Sequence, residues 1–107
     1  MDVLYLVKER CARLDLQIKA WRIQGQIDRT CRKYSLCRRA VSDFAKDPIK
    51  TAVFREIQEG LISDDPAVRQ AAKAKQRDLT PLEHLAAAQW GVNVIRARLS
   101  ENSSRNQ

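Results

Sequence analysis

Leu4, Val7, Cys11, Leu14, Ile18 and Trp21 recur at alternating intervals of three and four residues, the signature of a helix with one apolar side. The seam reappears at Ala20, Ile23, Ile27, Thr30, Tyr34, Cys37, Val41 and Phe44, but two residues out of phase. A straight helix shows these two seams on different sides, which restricts residues 1–46 to two shapes. The expected shape is an antiparallel helical hairpin that reverses near Gln24-Gly25-Gln26, with Gly25 ending the first helix, because it buries both seams within one chain. The alternative is one long helix of about 45 residues that offers its seams to different partners. Asp2 stands where it could cap the N-terminus of this element.

The same stretch carries a row of cations. Arg22, Arg29, Arg32, Arg39 and Lys46 are spaced seven, three, seven and seven residues apart. At roughly 100° per residue they share an arc of about 120° on an unbroken helix, away from Ile27, Thr30, Tyr34, Cys37, Val41 and Phe44. Such a row would span about 36 Å. A helix of this kind docks on its own protein with one side and is free to meet a polyanion with the other. Charge rows also occur simply as the solvated face of an amphipathic helix, but Asp43 alone offsets this one.

Net charge places the row in context. Of the 107 residues, 20 are Lys or Arg and 13 Asp or Glu, giving +7. Residues 1–46 hold eleven cations against five acids, and residues 47–107 hold nine against eight, so the excess belongs to the N-terminal half. That asymmetry points to an anionic partner, with nucleic acid ahead of a membrane surface. A 44% hydrophobic fraction is too high for a disordered chain. Three glycines and three prolines are few for a sandwich of short strands. No apolar run approaches the roughly 20 residues of a membrane span, and no signal-peptide pattern is present. A soluble intracellular protein is expected.

Asp47-Pro48 should end the basic element and start a short helix, in which Ile49, Val53, Ile57 and Leu61 lie one turn apart beside Phe54. Gly60 and Ser63-Asp64-Asp65 should close it. Pro66 then opens the alanine-rich stretch AVRQAAKAKQRD, an exposed helix with a short basic row at Arg69, Lys73 and Arg77. Thr80-Pro81-Leu82-Glu83 is a capping box with proline at the first helical position. Its helix carries Leu85, Ala88, Val92, Ile95 and Leu99 on one side. Residues 1–100 are thus expected to form a single helical domain, and 101–107 a frayed polar tail.

Catalysis finds little support. The three cysteines are an odd number, and Cys31 and Cys37 are six apart, a poor chelating geometry. Zinc would need Cys11 and His84 to converge on them. Small reduced packing residues are the simpler reading. The single histidine, His84, lies in the first turn of the last helix, and no phosphate loop or Ser-His-Asp arrangement can be argued from spacing. No enzyme activity, cofactor, metal or small-molecule substrate is expected.

Cations at intervals along a helical face suit phosphates and sugar hydroxyls rather than base edges. Duplex RNA is read largely that way, by shape and backbone. A helix-turn-helix DNA reader needs base-reading side chains on a short recognition helix; the stretch from Pro66 to Arg77 could imitate one, but its alanines give little base-reading chemistry. Single-strand modules need stacking aromatics on a sheet, and neither is evident.

From Cys31 to Gly60, CRKYSLCRRAVSDFAKDPIKTAVFREIQEG resembles the small RNA-silencing suppressors of insect nodaviruses. In that family a long basic helix is followed by a proline and by a short helix ending in glycine. Placing Pro48 on the family's proline puts Arg32 and Arg39 on two RNA-contacting positions, while a third falls at Trp21, beside Arg22. The resemblance implies an antiparallel homodimer whose long helices lie across duplex RNA. It departs from the family in a tighter first connection and in the capped helix from Thr80 to Leu99.

The chain is therefore expected to be all-α: an antiparallel helical hairpin or long helix followed by three shorter helices, assembled as a dimeric bundle. Double-stranded RNA is the expected partner, met by Arg22, Arg29, Arg32, Arg39 and Lys46 and shielded from silencing or processing nucleases. If the chain is viral, this would take place in the host cytoplasm. The competing readings are a helical interaction adaptor or inhibitor, and a phage or plasmid DNA-binding accessory protein.

Overall fold

The computed structural model describes residues 3–105, with side chains for all of these except 5, 6 and 102–105. Five helices follow in order: α1 (Val3–Lys33), α2 (Arg38–Lys46), α3 (Pro48–Leu61), α4 (Pro66–Arg77) and α5 (Pro81–Arg105). No strand occurs among the described residues, so the protein is all-α. The cap expected of Asp2 lies outside the described residues. At about 1.5 Å per residue α1 runs about 46 Å, close to the molecule's longest dimension of 48 Å.

The hairpin at Gly25 does not form. α1 passes through Gly25 without interruption, and the long-helix alternative holds as far as Lys33. Packing outweighs the glycine. Ala20, Ile27 and Cys31 are buried and Ile23 partly so, and all join one core with Val92, Leu85, Ala88 and Ile95 of α5. Such burial, at roughly 1.5–3 kcal/mol for a large aliphatic side chain, exceeds the roughly 0.5–1 kcal/mol that a mid-helix glycine costs.

The break comes ten residues later. Ser35 takes the left-handed conformation with φ 54°. The Leu36 N–H donates to the Cys31 carbonyl at 2.8 Å, and the Ser35 N–H to that of Arg32 at 3.5 Å. This is a Schellman stop, in which an apolar residue after the turn packs back on the helix; Leu36 does so against the core that includes Cys31. The chain then turns back: Arg38 at the start of α2 pairs with Asp28 of α1 at 3.0 Å, and Val41 enters the core beside Ile27. Four helices, not three, therefore follow α1.

The later boundaries match the sequence more closely. The Asp47 carboxylate accepts from the Ile49 N–H and the Asp65 carboxylate from the Ala67 N–H, each at 2.9 Å, capping α3 and α4 ahead of Pro48 and Pro66. The capping box is made in full: the Thr80 N–H donates to Glu83 at 3.0 Å and the Glu83 N–H to the Thr80 hydroxyl at 3.2 Å. α3 buries Phe54 and Ile57, while Ile49, at the head of the row of four aliphatics, is 79% exposed. Where α3 meets α4, a Cβ on Gly60 would stand 2.6 Å from that of Ala72, so the contact requires glycine. α5 carries Val92 fully buried with Leu85, Ala88, Ile95 and Leu99 partly so, and it runs on to Arg105, through most of the expected tail. Residues 106 and 107 of that tail lie outside the described residues.

Gly25→Ala separates the continuous helix from a hairpin. A Cβ there meets only the Arg29 guanidinium, at 3.7 Å. The substitution should therefore stabilise the protein by about 0.5–1 kcal/mol, whereas in a hairpin it would destabilise. Ser35→Gly should stabilise by roughly 1 kcal/mol by relieving the left-handed backbone. Urea unfolding checks both.

The box also sets a pH dependence. The Thr80 backbone N–H, the Thr80 hydroxyl and Lys50, in that order, hold the Glu83 carboxyl below its usual 4.5. A carboxylate depressed in the folded state stabilises above that value and loses its contribution as the pH falls through the folded one. Glu83→Gln should therefore lower the melting temperature at pH 7 and narrow its gap to the parent as the pH falls below 4.5.

Candidate nucleic-acid interface

α1 and α5 lie antiparallel, and between their apolar contacts sits a polar row. Gln24 Nε2 donates to Gln89 Oε1, and Gln89 Nε2 donates back to Gln24 Oε1, both at 2.9 Å. Gln89 Nε2 also reaches Asn93 Oδ1 at 3.1 Å, and Gln24 Nε2 reaches Asp28 Oδ1 at 3.2 Å. Arg96 of α5 donates to Gln24 Oε1 at 3.3 Å, while Arg38 of α2 holds Asp28. Amides, one carboxylate and two guanidiniums from three helices thus form one connected network.

Two shallow depressions share this network. The first, about 340 Å³, lies between α1, α2 and α5 and includes Arg38, Lys46 and Arg96 in its lining. The second, about 370 Å³, lies along α1 and is lined by Trp21, Arg22, Gly25 and Arg29 together with Arg96. Gln24, Asp28 and Arg96 line both. Five cations, Arg22, Arg29, Arg38, Lys46 and Arg96, therefore border one continuous surface with Asp28 as its acid.

The straight row of five cations expected from the sequence does not exist, because the Schellman stop at Ser35 folds α2 back. Arg22, Arg29 and Arg32 remain on α1, all exposed. Arg39 and Lys46 are exposed on α2. The fold brings Arg22 and Arg29 to one depression and Lys46 to the other, while Arg32 and Arg39 flank the connection between the helices. Arg38 and Arg96 were not among the expected cations. Arg96 had a signal: Gln89, Asn93 and Arg96 recur at four and three residues, a polar row beside the apolar row of α5. Arg38 had none, since its place depends on the reversal.

The cysteines divide. Cys31 is buried, and burial pushes its thiol pKa up. Cys11 and Cys37 are exposed, so the reading of all three as packing residues holds only for Cys31. His84 is exposed on the far side of α5, at an apolar cleft of about 320 Å³ lined in part by Phe54, Ile57 and Trp90. Among the described residues no helix is long and apolar enough to cross a membrane.

What the basic surface can do follows from its parts. The network fixes where Arg38 and Arg96 leave the protein, and their remaining donors face water with those of Arg22, Arg29 and Lys46. Guanidinium groups so placed can hold phosphate oxygens by two donors each. No family model, curated protein or solved structure matches this chain.

The amide pair should behave as a unit. Gln89→Ala leaves Gln24 facing a part-buried gap and should cost about 1 kcal/mol. The Gln24→Ala/Gln89→Ala double variant should cost less than the sum of the two single changes, which a double-mutant cycle in urea measures.

Proposed function

We propose that this protein binds duplex RNA through phosphate and sugar contacts made by the surface that α1, α2 and the middle of α5 share. The observation that carries the reading is the gathering of five cations from three helices around one acid, two of them held by a hydrogen-bonded floor. A charge face that merely kept the protein soluble would need no such floor. The sign and spacing suit a polyanion, and the side chains suit backbone rather than base contact.

RNA is favoured over DNA because the cations are spread over three helices as a surface for phosphates and sugars, which is how a duplex read by shape and backbone is met. The resemblance over Cys31 to Gly60 adds Arg32 and Arg39 as contacts at the margin of the surface. Binding of this type acts by coverage: a coated duplex is closed to a processing nuclease or silencing complex. The reading includes a homodimer, which doubles the basic surface offered to one duplex.

Binding measured by fluorescence anisotropy at several salt concentrations tests the proposal. Arg29→Gln, Arg39→Gln and Arg96→Gln should each weaken binding to unrelated duplex sequences alike, and each should reduce the salt slope by about one unit. Lys73→Gln on α4 should change little. A parent that binds no duplex RNA at low salt, or variants that bind as the parent does, would overturn the reading.

A further inference from the structure

The depression between α1, α2 and α5 differs in kind from the one along α1. Ile27 and Val41 are its apolar lining and both are buried, so what it offers to solvent is polar. Arg38 and Lys46 reach it from α2, and Arg96 from α5. Its carboxylate, Asp28, is already engaged: Arg38 Nη2 stands 3.0 Å from Asp28 Oδ1, and Gln24 Nε2 donates to the same oxygen at 3.2 Å. Three cations around one paired acid leave a surplus of two positive charges to be met from outside.

Neutral donors complete the set. Gln89 Nε2 donates to Asn93 Oδ1, which fixes the Asn93 amide and leaves its Nδ2 hydrogens without a hydrogen-bond partner among the described residues. The Ser42 hydroxyl, one turn beyond Arg38 and one turn before Lys46 on α2, has none there either. Guanidinium, ammonium, amide and hydroxyl donors thus line one concave place of about 340 Å³, a volume at the lower end of the range for small-ligand sites.

We infer that this depression is a site for a phosphate monoester, carried either on the end of an RNA strand or on a free nucleotide. For the first source the inference deepens the proposed function and rests on that reading; for the second it stands alone.

Charge and shape select this ligand. A monoester carries nearly two negative charges at pH 7 and three acceptor oxygens, which matches the surplus and the set of donors. A carboxylate or an internal phosphodiester brings one charge. Attachment matters as well. A terminal monoester is bonded to the strand on one side only, so it can enter a depression walled by three helices. An internal phosphate has a nucleoside on each side and suits an open face such as that of Arg22 and Arg29. Arg38 uses one edge on Asp28, and Arg96 donates to Gln24 Oε1 at 3.3 Å, so both guanidiniums are held in place with donors to spare for the oxygens of one phosphate.

Fluorescence anisotropy with a short duplex RNA, carrying 5′-monophosphates or 5′-hydroxyls, reads the site as a ratio of affinities. The phosphorylated duplex should bind the parent about tenfold more tightly, the worth of one charged hydrogen bond. Lys46→Gln should bring that ratio close to one, and Ser42→Ala, which removes only a hydroxyl, should lower it about threefold with the melting temperature unchanged. Arg22→Gln, which borders the depression along α1 and not this one, should weaken both duplexes and keep their ratio. Adenosine 5′-monophosphate, with adenosine as the control, probes the depression without a duplex. The NMR resonances of Ser42, Lys46 and Asn93 should shift with the nucleotide at millimolar concentration and stay in place with the nucleoside. A parent that binds neither duplex but responds to the nucleotide keeps the site and removes the RNA reading. Equal binding of the two duplexes with a response to the nucleotide assigns the site to a free monoester. Equal binding with a silent nucleotide titration, or a ratio that Lys46→Gln leaves unchanged, overturns the inference while duplex binding stands.

Discussion

The packing of α1 against α5 organises everything else in this protein. Ala20, Ile23, Ile27 and Cys31 lie on Leu85, Ala88, Val92 and Ile95, and Gln24 and Gln89 exchange hydrogen bonds beside them. The apolar contacts supply the favourable free energy, and the amide pair fixes the register by making any slip leave donors and acceptors unmatched in a part-buried place. α2 can fold back only because this pair offers a groove for Val41, with Asp28 positioned to take Arg38. α3 and α4 then pack together where Gly60 meets Ala72.

One helix consequently carries two unlike faces. The side of α1 that meets α5 ends in the polar row whose edges bear the cations, so core register and the position of Arg96 are coupled. The other side keeps an apolar strip over Val7, Leu14, Ile18 and Trp21 that gives way to charge after Trp21. Along its length the outer face thus changes from apolar to charged. A 31-residue helix can separate these faces because they occupy different turns.

Local chemistry was legible wherever a few neighbouring residues decide the outcome. Thr80 and Glu83 complete their box unaided, and Asp47 and Asp65 cap the helices that Pro48 and Pro66 begin. The second seam was legible at Ala20, Ile23, Ile27 and Val41, while Tyr34 and Cys37, counted in it, fall at the turn and are exposed. What local residues do not decide is where the chain turns. Gly25 is a good helix-ender in isolation, but Ile23 and Ile27 on either side of it are covered by α5, a helix far along the sequence. Ser35 is a poor candidate for a left-handed position and adopts it because Leu36 gains a place in the core. The cation row was drawn on a helix that stops at Lys33, so its members were found while their arrangement was not. Arg38 and Arg96 join the surface through the long-range contacts to Asp28 and Gln24, which spacing along a single helix does not show.

The central claim is that duplex RNA lies on the surface shared by α1, α2 and α5. The most direct test follows the backbone amide and arginine side-chain resonances of the labelled protein by NMR as a duplex RNA is added at low salt. The account predicts shifts at Arg22, Arg29, Arg38 and Arg96 and in the turns that carry them, reversed by added salt, with Arg69 and Arg77 of α4 undisturbed. Shifts confined to α4 or to the apolar stretch of α1, or a spectrum that RNA leaves unchanged, would contradict it.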